Sequence, residues 1–475
     1  MTDPILIERY LRDANPIPHV DDLDPDEFAR FVAVAHTRRA APKQTLAQTL
    51  TRPAPTLKPP HHGRAWAFVL AIVLVLAGIG ITALVLRDGR GTVTDEPAPP
   101  AVESFAWSRV PHDDEVFPEG SEMRSVTVGG PGLVAVGSDV WTSPDGITWS
   151  LIPRDPAVFG YSMMNSVTAG GPGLVAVGVG SLEELDYSVA HAMVWTSPDG
   201  INWSVVPYDP NVFGTYDGGF GTTMHAVTVG GPGLVAVGNG GIGEVPAVWT
   251  SPDGISWARV PHDPEVFGEG QSMGSVTAGG PGLVAVGADE FVGSGSAVWT
   301  SPDGFTWTRV RHDRSAFGGS GGQGMASVTA GGPGLVAVGG EEPDGVKDRA
   351  AVWTSTDGIS WSRVAHDPEI FGEDGRGMRA VVAGELGLVA VGTDVWTSSD
   401  GITWSLVQQD VDSFDEARPG DVEILGGMQS VTFGGPGLVG VGTDAVGHYW
   451  YDEELEHTAW YSTQDAAVWV AEPES

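Results

Sequence analysis

Seven times along the chain, first at Gly129 and last at Gly434, the sequence returns to Gly-Gly-Pro-Gly-Leu-Val-Ala-Val-Gly or a near variant. The starts between them are Gly170, Gly230, Gly279, Gly331 and Gly384. A second segment, Val-Trp-Thr-Ser-Pro-Asp-Gly-x-x-Trp, carries Trp141, Trp195, Trp249, Trp299, Trp353 and Trp396. Each is followed eight residues on by Trp149, Trp203, Trp257, Trp307, Trp361 or Trp404. A third segment, Asp-x-x-x-Phe, runs from Asp155 to Phe159 and recurs at Asp209, Asp263, Asp313, Asp367 and Asp410. A Met stands six residues before each Gly-Gly, from Met123 to Met428. Self-similarity at a period of roughly 50 residues restricts the chain to a repeat architecture.

Each unit reads as four short strands. Met-x-Ser-Val-Thr, Leu-Val-Ala-Val-Gly, Ala-Val-Trp-Thr-Ser and Trp-Ser-x-Val are rich in β-branched and aromatic residues and bounded by Gly, Pro or Asp. Seven units of four strands predict an all-β, seven-bladed β-propeller over residues 105–475. The ends of the repeat support ring closure. Trp107-Ser-Arg-Val110 is a fourth strand with no unit before it, and the last unit, Met428 through Val470, lacks one. The strand at 105–110 is therefore expected to complete the seventh blade.

The turn between the third and fourth strands, Ser143-Pro-Asp145-Gly146-Ile-Thr-Trp149 and its five counterparts, resembles the Asp box of the BNR-repeat propellers, the sialidase-like superfamily. The chain departs from that family by one residue, because its Asp and Gly are adjacent. The resemblance implies that Asp145, Asp199, Asp253, Asp303, Asp357 and Asp400 cap turns and bind no ligand. For a sialidase it would also imply an arginine triad gripping a carboxylate, a Tyr–Glu nucleophilic pair and an acid/base Asp. Only Arg124 and Arg379 fall on innermost strands, and a third Arg could come only from a loop, such as Arg418. Adjacent acids such as Glu453 and Glu454 do not converge as a hydrolase pair. The expectation from sequence is that the chain is not an enzyme.

Ala65 to Leu86 is an uncharged, apolar run of 22 residues. A helix of that length is about 33 Å long and would cross a bilayer's hydrocarbon core. It divides the chain into a 1–64 tail, a transmembrane helix at 65–86 and a Pro- and acid-rich stalk at 87–104 before the propeller. The tail is read as partly helical, with Asp24 as N-cap and Pro25 in the first turn, then a Pro-rich tether from Thr51. Arg52, Lys58 and Arg64 precede the span while Arg87 and Arg90 follow among acids, which favours a cytoplasmic N-terminus and an extracytoplasmic propeller at the plasma membrane. Residues 1–64 are nearly neutral (9 Lys/Arg, 8 Asp/Glu), whereas residues 87–475 hold 15 Lys/Arg against 53 Asp/Glu. That acidity argues against nucleic acid and anionic lipid surfaces, and for a neutral or cationic partner. The absence of Cys excludes disulfides and thiolate chemistry. No metal or cofactor is called for.

Length variation locates the candidate sites. The Gly-Gly-Pro-Gly and Ser-Pro-Asp-Gly turns keep their length, and all variation falls in the other two connections, on the opposite face. Loops on a rigid scaffold carry recognition. On that face the residue after each Met differs between blades: Arg124, Asn165, His225, Gly274, Ala326, Arg379 and Gln429. Arg124, Asn165, His225, Arg379 and Gln429 form a polar ligand rim, against the plainer reading of solvent-lined variation. A long seventh-blade insertion, Thr443–Ala467, holds His448, Tyr449, Trp450, Tyr451, Trp460 and Tyr461, either a partner surface or a flap. The repeated pairs His112-Asp113, His262-Asp263, His312-Asp313 and His366-Asp367 invite a metal or acid–base reading, but their fixed spacing favours turn capping. The leading expectation is a membrane-anchored, non-catalytic module that binds a protein or glycan. The alternatives are a transmembrane signalling scaffold and a sialidase-like glycoside hydrolase.

Overall fold

A computed structural model describes residues 105–181, 190–214, 221–241, 245–289, 295–318, 323–341, 349–372, 377–407, 427–452 and 457–473. The expected tail, membrane span and stalk lie outside the described residues. Among the described residues no helix is long and apolar enough to cross a membrane.

The strands form seven four-stranded antiparallel sheets. The first blade runs outward from β2 (Met123–Gly129) through β3 (Gly132–Gly137) and β4 (Val140–Ser143) to β5 (Ser150–Leu151). Blades two to six repeat this order with innermost strands β6 (Tyr161–Gly170), β10 (Thr223–Gly230), β14 (Gln271–Gly279), β18 (Gln323–Gly331) and β22 (Met378–Gly384). The seventh combines β26 (Gly427–Gly434), β27 (Gly437–Asp452) and β28 (His457–Pro473) with β1 (Phe105–Arg109), which pairs antiparallel with β28 from Phe105↔Pro473 to Arg109↔Trp469. The innermost strands contact one another in sequence and β2 meets β26, so the ring closes as the sequence predicts.

No single core holds the ring. Seven apolar clusters form, each wedged between two adjacent blades. In the cluster between blades three and four, Val235 and Val237 pack with Phe267, Leu283, Trp299 and Trp307. The third-strand Trp residues of blades one to six are wholly buried, and each of their indole N–H groups has a partner. Trp299 Nε1 donates to Val266 O at 2.9 Å, and Trp141, Trp195, Trp249, Trp353 and Trp396 donate to Val116, Val158, Val212, Ala316 and Ile370. Those carbonyls precede the Phe of each Asp-x-x-x-Phe segment, so the loop that leads into a blade is tied to that blade's third strand.

The Asp of that segment caps a turn. Asp155, Asp209, Asp313 and Asp367 are N-caps of four-residue helices, α1 (Pro156–Phe159), α2 (Pro210–Phe213), α3 (Arg314–Phe317) and α4 (Pro368–Phe371). Asp113 and Asp263 accept from Glu115 N and Glu265 N in the same way. The neighbouring imidazoles lie against the Phe rings, with centroids 5.9 Å apart for His112–Phe117 and 6.3 Å for His262–Phe267.

The six Ser-x-Asp-Gly turns, with Pro at the second position in four, Thr356 in the fifth and Ser399 in the sixth, share one hydrogen-bond pattern. In the third blade, Ser251 Oγ accepts from Gly254 N at 2.8 Å, and Asp253 Oδ1 accepts from Ile255 N and Ser256 N at 2.9 and 2.7 Å. Trp257 Nε1 donates to Gly254 O at 2.9 Å. Gly254 has φ +81°, and a Cβ there would lie 2.8 Å from Val175 Cγ2 of the preceding blade, so only glycine fits both the turn and the blade-to-blade approach.

Candidate functional site at the channel mouth

The residue after each Met is set apart by the backbone itself. In all seven blades the pairing of the first and second strands slips by one residue at this position, between Met123 and Ser125, Met164 and Ser166, Met224 and Ala226, Met273 and Ser275, Met325 and Ser327, Met378 and Ala380, and Met428 and Ser430. Each skipped residue is a β-bulge, which leaves the ladder and re-aims its side chain. The innermost strands thus present a ring of seven bulged residues at one level of the channel. Arg124, Asn165, His225, Arg379 and Gln429 are five of them. The other two, Gly274 and Ala326, are small.

Three of the polar bulges interact across blades. Arg124 donates from Nη1 to Asn165 Oδ1 at 2.9 Å, and from Nε and Nη2 to Glu122 Oε2 at 3.2 and 2.9 Å. Asn165 Nδ2 donates to Met224 O at 2.9 Å. His225 Nδ1 lies 3.0 Å from Met273 O. A carbonyl only accepts, so Nδ1 carries the hydrogen and the neutral ring keeps a lone pair on Nε2. Burial lowers the His225 pKa below its ordinary value of 6.5; the Met273 bond opposes that shift and the Arg124 charge adds to it. Arg124 is 41% exposed and has a hydrogen left on each terminal nitrogen after these bonds. The arc therefore offers donors on Arg124 and Asn165 beside an acceptor on His225. Arg379 and Gln429 are half-buried on the other side of the first blade.

The outer-strand arginines work elsewhere. Arg109 pairs with Asp444 at 2.6 Å, Arg309 with Asp289, and Arg363 with Glu341 at 2.6 Å. Arg259 donates to Gly214 O and Gly240 O, both at 3.0 Å, and lies over the Trp249 ring. These residues pin the end of the second strand to the fourth. The expectation from sequence puts Arg124 and Arg379 alone on innermost strands and pairs none of these outer arginines with an acid. The signal was available: where the fourth strand holds Arg109, Arg309 or Arg363, an acid stands two residues after the second strand's repeat Gly.

The seventh-blade insertion is a continuous hairpin rather than a loop. The β27–β28 register runs unbroken from Leu438↔Ala471 to Asp452↔His457. It sets His448 opposite Tyr461 and Tyr449 opposite Trp460, while Trp450 and Tyr451 stand opposite Ala459 and Thr458. Arg418 lies outside the described residues. Among the described residues no group of three or more His, Asp or Glu could hold a metal ion.

No protein-family model matches the chain, and no curated protein matches it either. Solved structures do resemble it. A periplasmic gluconolactonase from Pseudomonas aeruginosa is 12% identical with a TM-score of 0.38, covering 60% of this chain and 84% of that one. A Trypanosoma rangeli sialidase bound to the inhibitor DANA is 17% identical with a TM-score of 0.34, covering 64% of this chain and 54% of that one. An exo-inulinase from Aspergillus awamori is 11% identical with a TM-score of 0.31, covering 78% of this chain and 98% of that one. The solved structures named here are enzymes, against the two expectations from sequence, the non-catalytic binding module and the absence of enzyme activity, which are not carried further.

Proposed function

We propose that this propeller is a carbohydrate hydrolase, the glycoside-hydrolase alternative of the sequence reading, and that it cleaves a C–O bond at the anomeric carbon of a sugar seated in the channel mouth. The observation that carries the proposal is the ring of seven bulges, which sets one residue per blade at a single level, with Glu122, Arg124 and Asn165 joined by hydrogen bonds and His225 bonded to Met273 O on the next blade. Arg124 and Asn165 hold sugar oxygens. His225, neutral near pH 7, accepts the proton of the attacking water at Nε2 and returns it to the departing oxygen, which leaves as an alcohol. The Arg124 guanidinium meets the negative charge that develops on oxygen. The apolar run 65–86 supports an enzyme tethered to the membrane with its propeller outside.

The test uses the full chain, a panel of 4-nitrophenyl glycosides, and D-glucono-1,5-lactone followed by pH-stat. At least one substrate is expected to turn over, with kcat/KM reduced about 100-fold or more in Arg124→Ala and in His225→Asn. The acid limb of the wild-type pH profile should fall below pH 6.5, in line with the lowered His225 pKa, and vanish in His225→Asn. No turnover of any member by protein with intact cooperative melting overturns the proposal.

A further inference from the structure

The two small bulges open the ring on one side. In blades two and three the bulged side chain spans to the next blade and bonds the carbonyl of its Met: Asn165 to Met224 O, His225 to Met273 O. In blade four that position is Gly274, and in blade five it is Ala326. A Cβ placed at Gly274 would meet nothing but main-chain oxygens: Ala326 O at 3.7 Å, Met325 O and Val286 O at 4.0 Å. The notch left by the missing side chain is therefore bordered by two innermost-strand carbonyls of blade five, Ala326 O and Met325 O, and by Val286 O, which belongs to the ladder of blade four. It directly follows His225, whose Nε2 is also an acceptor.

We infer that this notch is a subsite for a primary ammonium group, so that the substrate is an amino sugar with a free amine. The inference rests on the reading of the channel mouth as a sugar site and specifies its substrate class. An ammonium brings three donors and no lone pair, which matches a lining of acceptors alone. A hydroxyl or an acetamide would turn a lone pair toward one of those oxygens. The formal charge of −37 raises the local concentration of cations. Arg124 lies on blade one, away from the notch, and Arg379 on blade six, next to blade five.

Gly274→Val tests the subsite without straining the backbone. The glycine does not occupy the left-handed region, and its Cβ would make ordinary van der Waals contacts. Binding is measured by saturation-transfer NMR competition with methyl β-D-glucosaminide, methyl N-acetyl-β-D-glucosaminide and methyl β-D-glucoside. The wild-type chain is expected to prefer the free amine about 10-fold, the weight of a charge-assisted hydrogen bond. Gly274→Val should abolish that preference while keeping the wild-type melting temperature, and Arg124→Ala should weaken all three ligands. If the wild type binds the three equally, or Gly274→Val keeps the preference, the subsite is wrong while the sugar site stands. If none of the three binds the wild type, and Arg124→Ala changes nothing in the hydrolysis panel, both readings fall.

Discussion

At the scale of single residues, the blades are joined along the channel by one repeated hydrogen bond. The Ser that follows each bulge accepts from a Val amide of the next blade: Ser125 from Val167 N at 3.1 Å, Ser166 from Val227 N at 3.2 Å, Ser275 from Val328 N at 3.2 Å, Ser327 from Val381 N and Ser430 from Val126 N, both at 3.3 Å. Ala226 and Ala380 hold the two remaining positions. Ser275→Ala should destabilise the propeller by about 1–3 kcal/mol, the cost of an orphaned amide, and Ala226→Ser should stabilise it by about 1 kcal/mol. Denaturant unfolding measures both, and equal midpoints for the three proteins would refute the account. The box carboxylates allow a second prediction. Hydrogen bonds from the turn amides and from the Asn202 side chain hold Asp199 at about 2, and amide bonds hold Asp253 at about 2, both below the ordinary 3.8. A depressed carboxylate stabilises the fold fully above its unfolded pKa and loses that contribution as pH falls through its folded one. The melting temperature should therefore drop between about pH 3.8 and pH 2, and drop less steeply in the Asp199→Asn, Asp253→Asn double variant.

At the scale of elements, the register slip in the innermost strands and the clamps on the outermost ones serve different ends. The slip turns a residue toward the channel, whereas the clamps hold the second strand to the fourth in blades three, four, five and seven. Asp289 is fully buried, paired with Arg309 and accepting from Gln271 Nε2 at 3.0 Å. Removing one partner of such a pair strands a charge in the interior, at about 3–5 kcal/mol. Arg309→Ala should cost that much in denaturant unfolding, and the Arg309→Met, Asp289→Leu pair should recover most of it. A loss under about 1 kcal/mol in the single variant would mean that the pair is solvated. The strands, the turns and the closing strand were legible in the sequence because each depends on local chemistry: β-branched runs, Asp and Gly at turns, Trp at fixed spacing. The bulges were not, since a one-residue slip leaves no mark of its own in composition. Their trace was indirect, a variable residue after an invariant Met. The Arg–acid clamps escaped because their acids, two residues beyond the repeat Gly of the second strand, stand past the repeated Leu-Val-x-Val-Gly segment, and the pairs fall in blades four, five and seven. The hairpin read as a loop because aromatic and acidic residues crowd its tip, although the backbone pairing continues to Asp452↔His457.

At the scale of the whole molecule, the ring depends on one short segment. β1 supplies Phe105 at 4% and Trp107 at 9% exposure to the cluster between blades six and seven, and Val110 just beyond it packs into the cluster between blades seven and one. Without it, β28 would become an open edge and two wedges would lose aromatic or branched side chains. Deleting residues 105–110 removes two aromatics, each worth about 3–5 kcal/mol when truncated in a core. Blades one to six keep all their strands, so the loss should concentrate in blade seven. Hydrogen exchange should then accelerate along β26–β28 first, with a lowered melting temperature for the whole ring because each blade is held by its two neighbours. A circular permutant separates closure from sequence order. Phe105 and Pro473 are register partners, so a short turn can join the end of β28 to the start of β1 when the chain begins instead at Gly427. That permutant has the same strands in every blade but no strand contributed from the far end. If the clasp matters beyond the burial of its side chains, the permutant should melt below the native order yet above the deletion. Equal melting of permutant and native chains would assign the whole effect to Phe105, Trp107 and Val110.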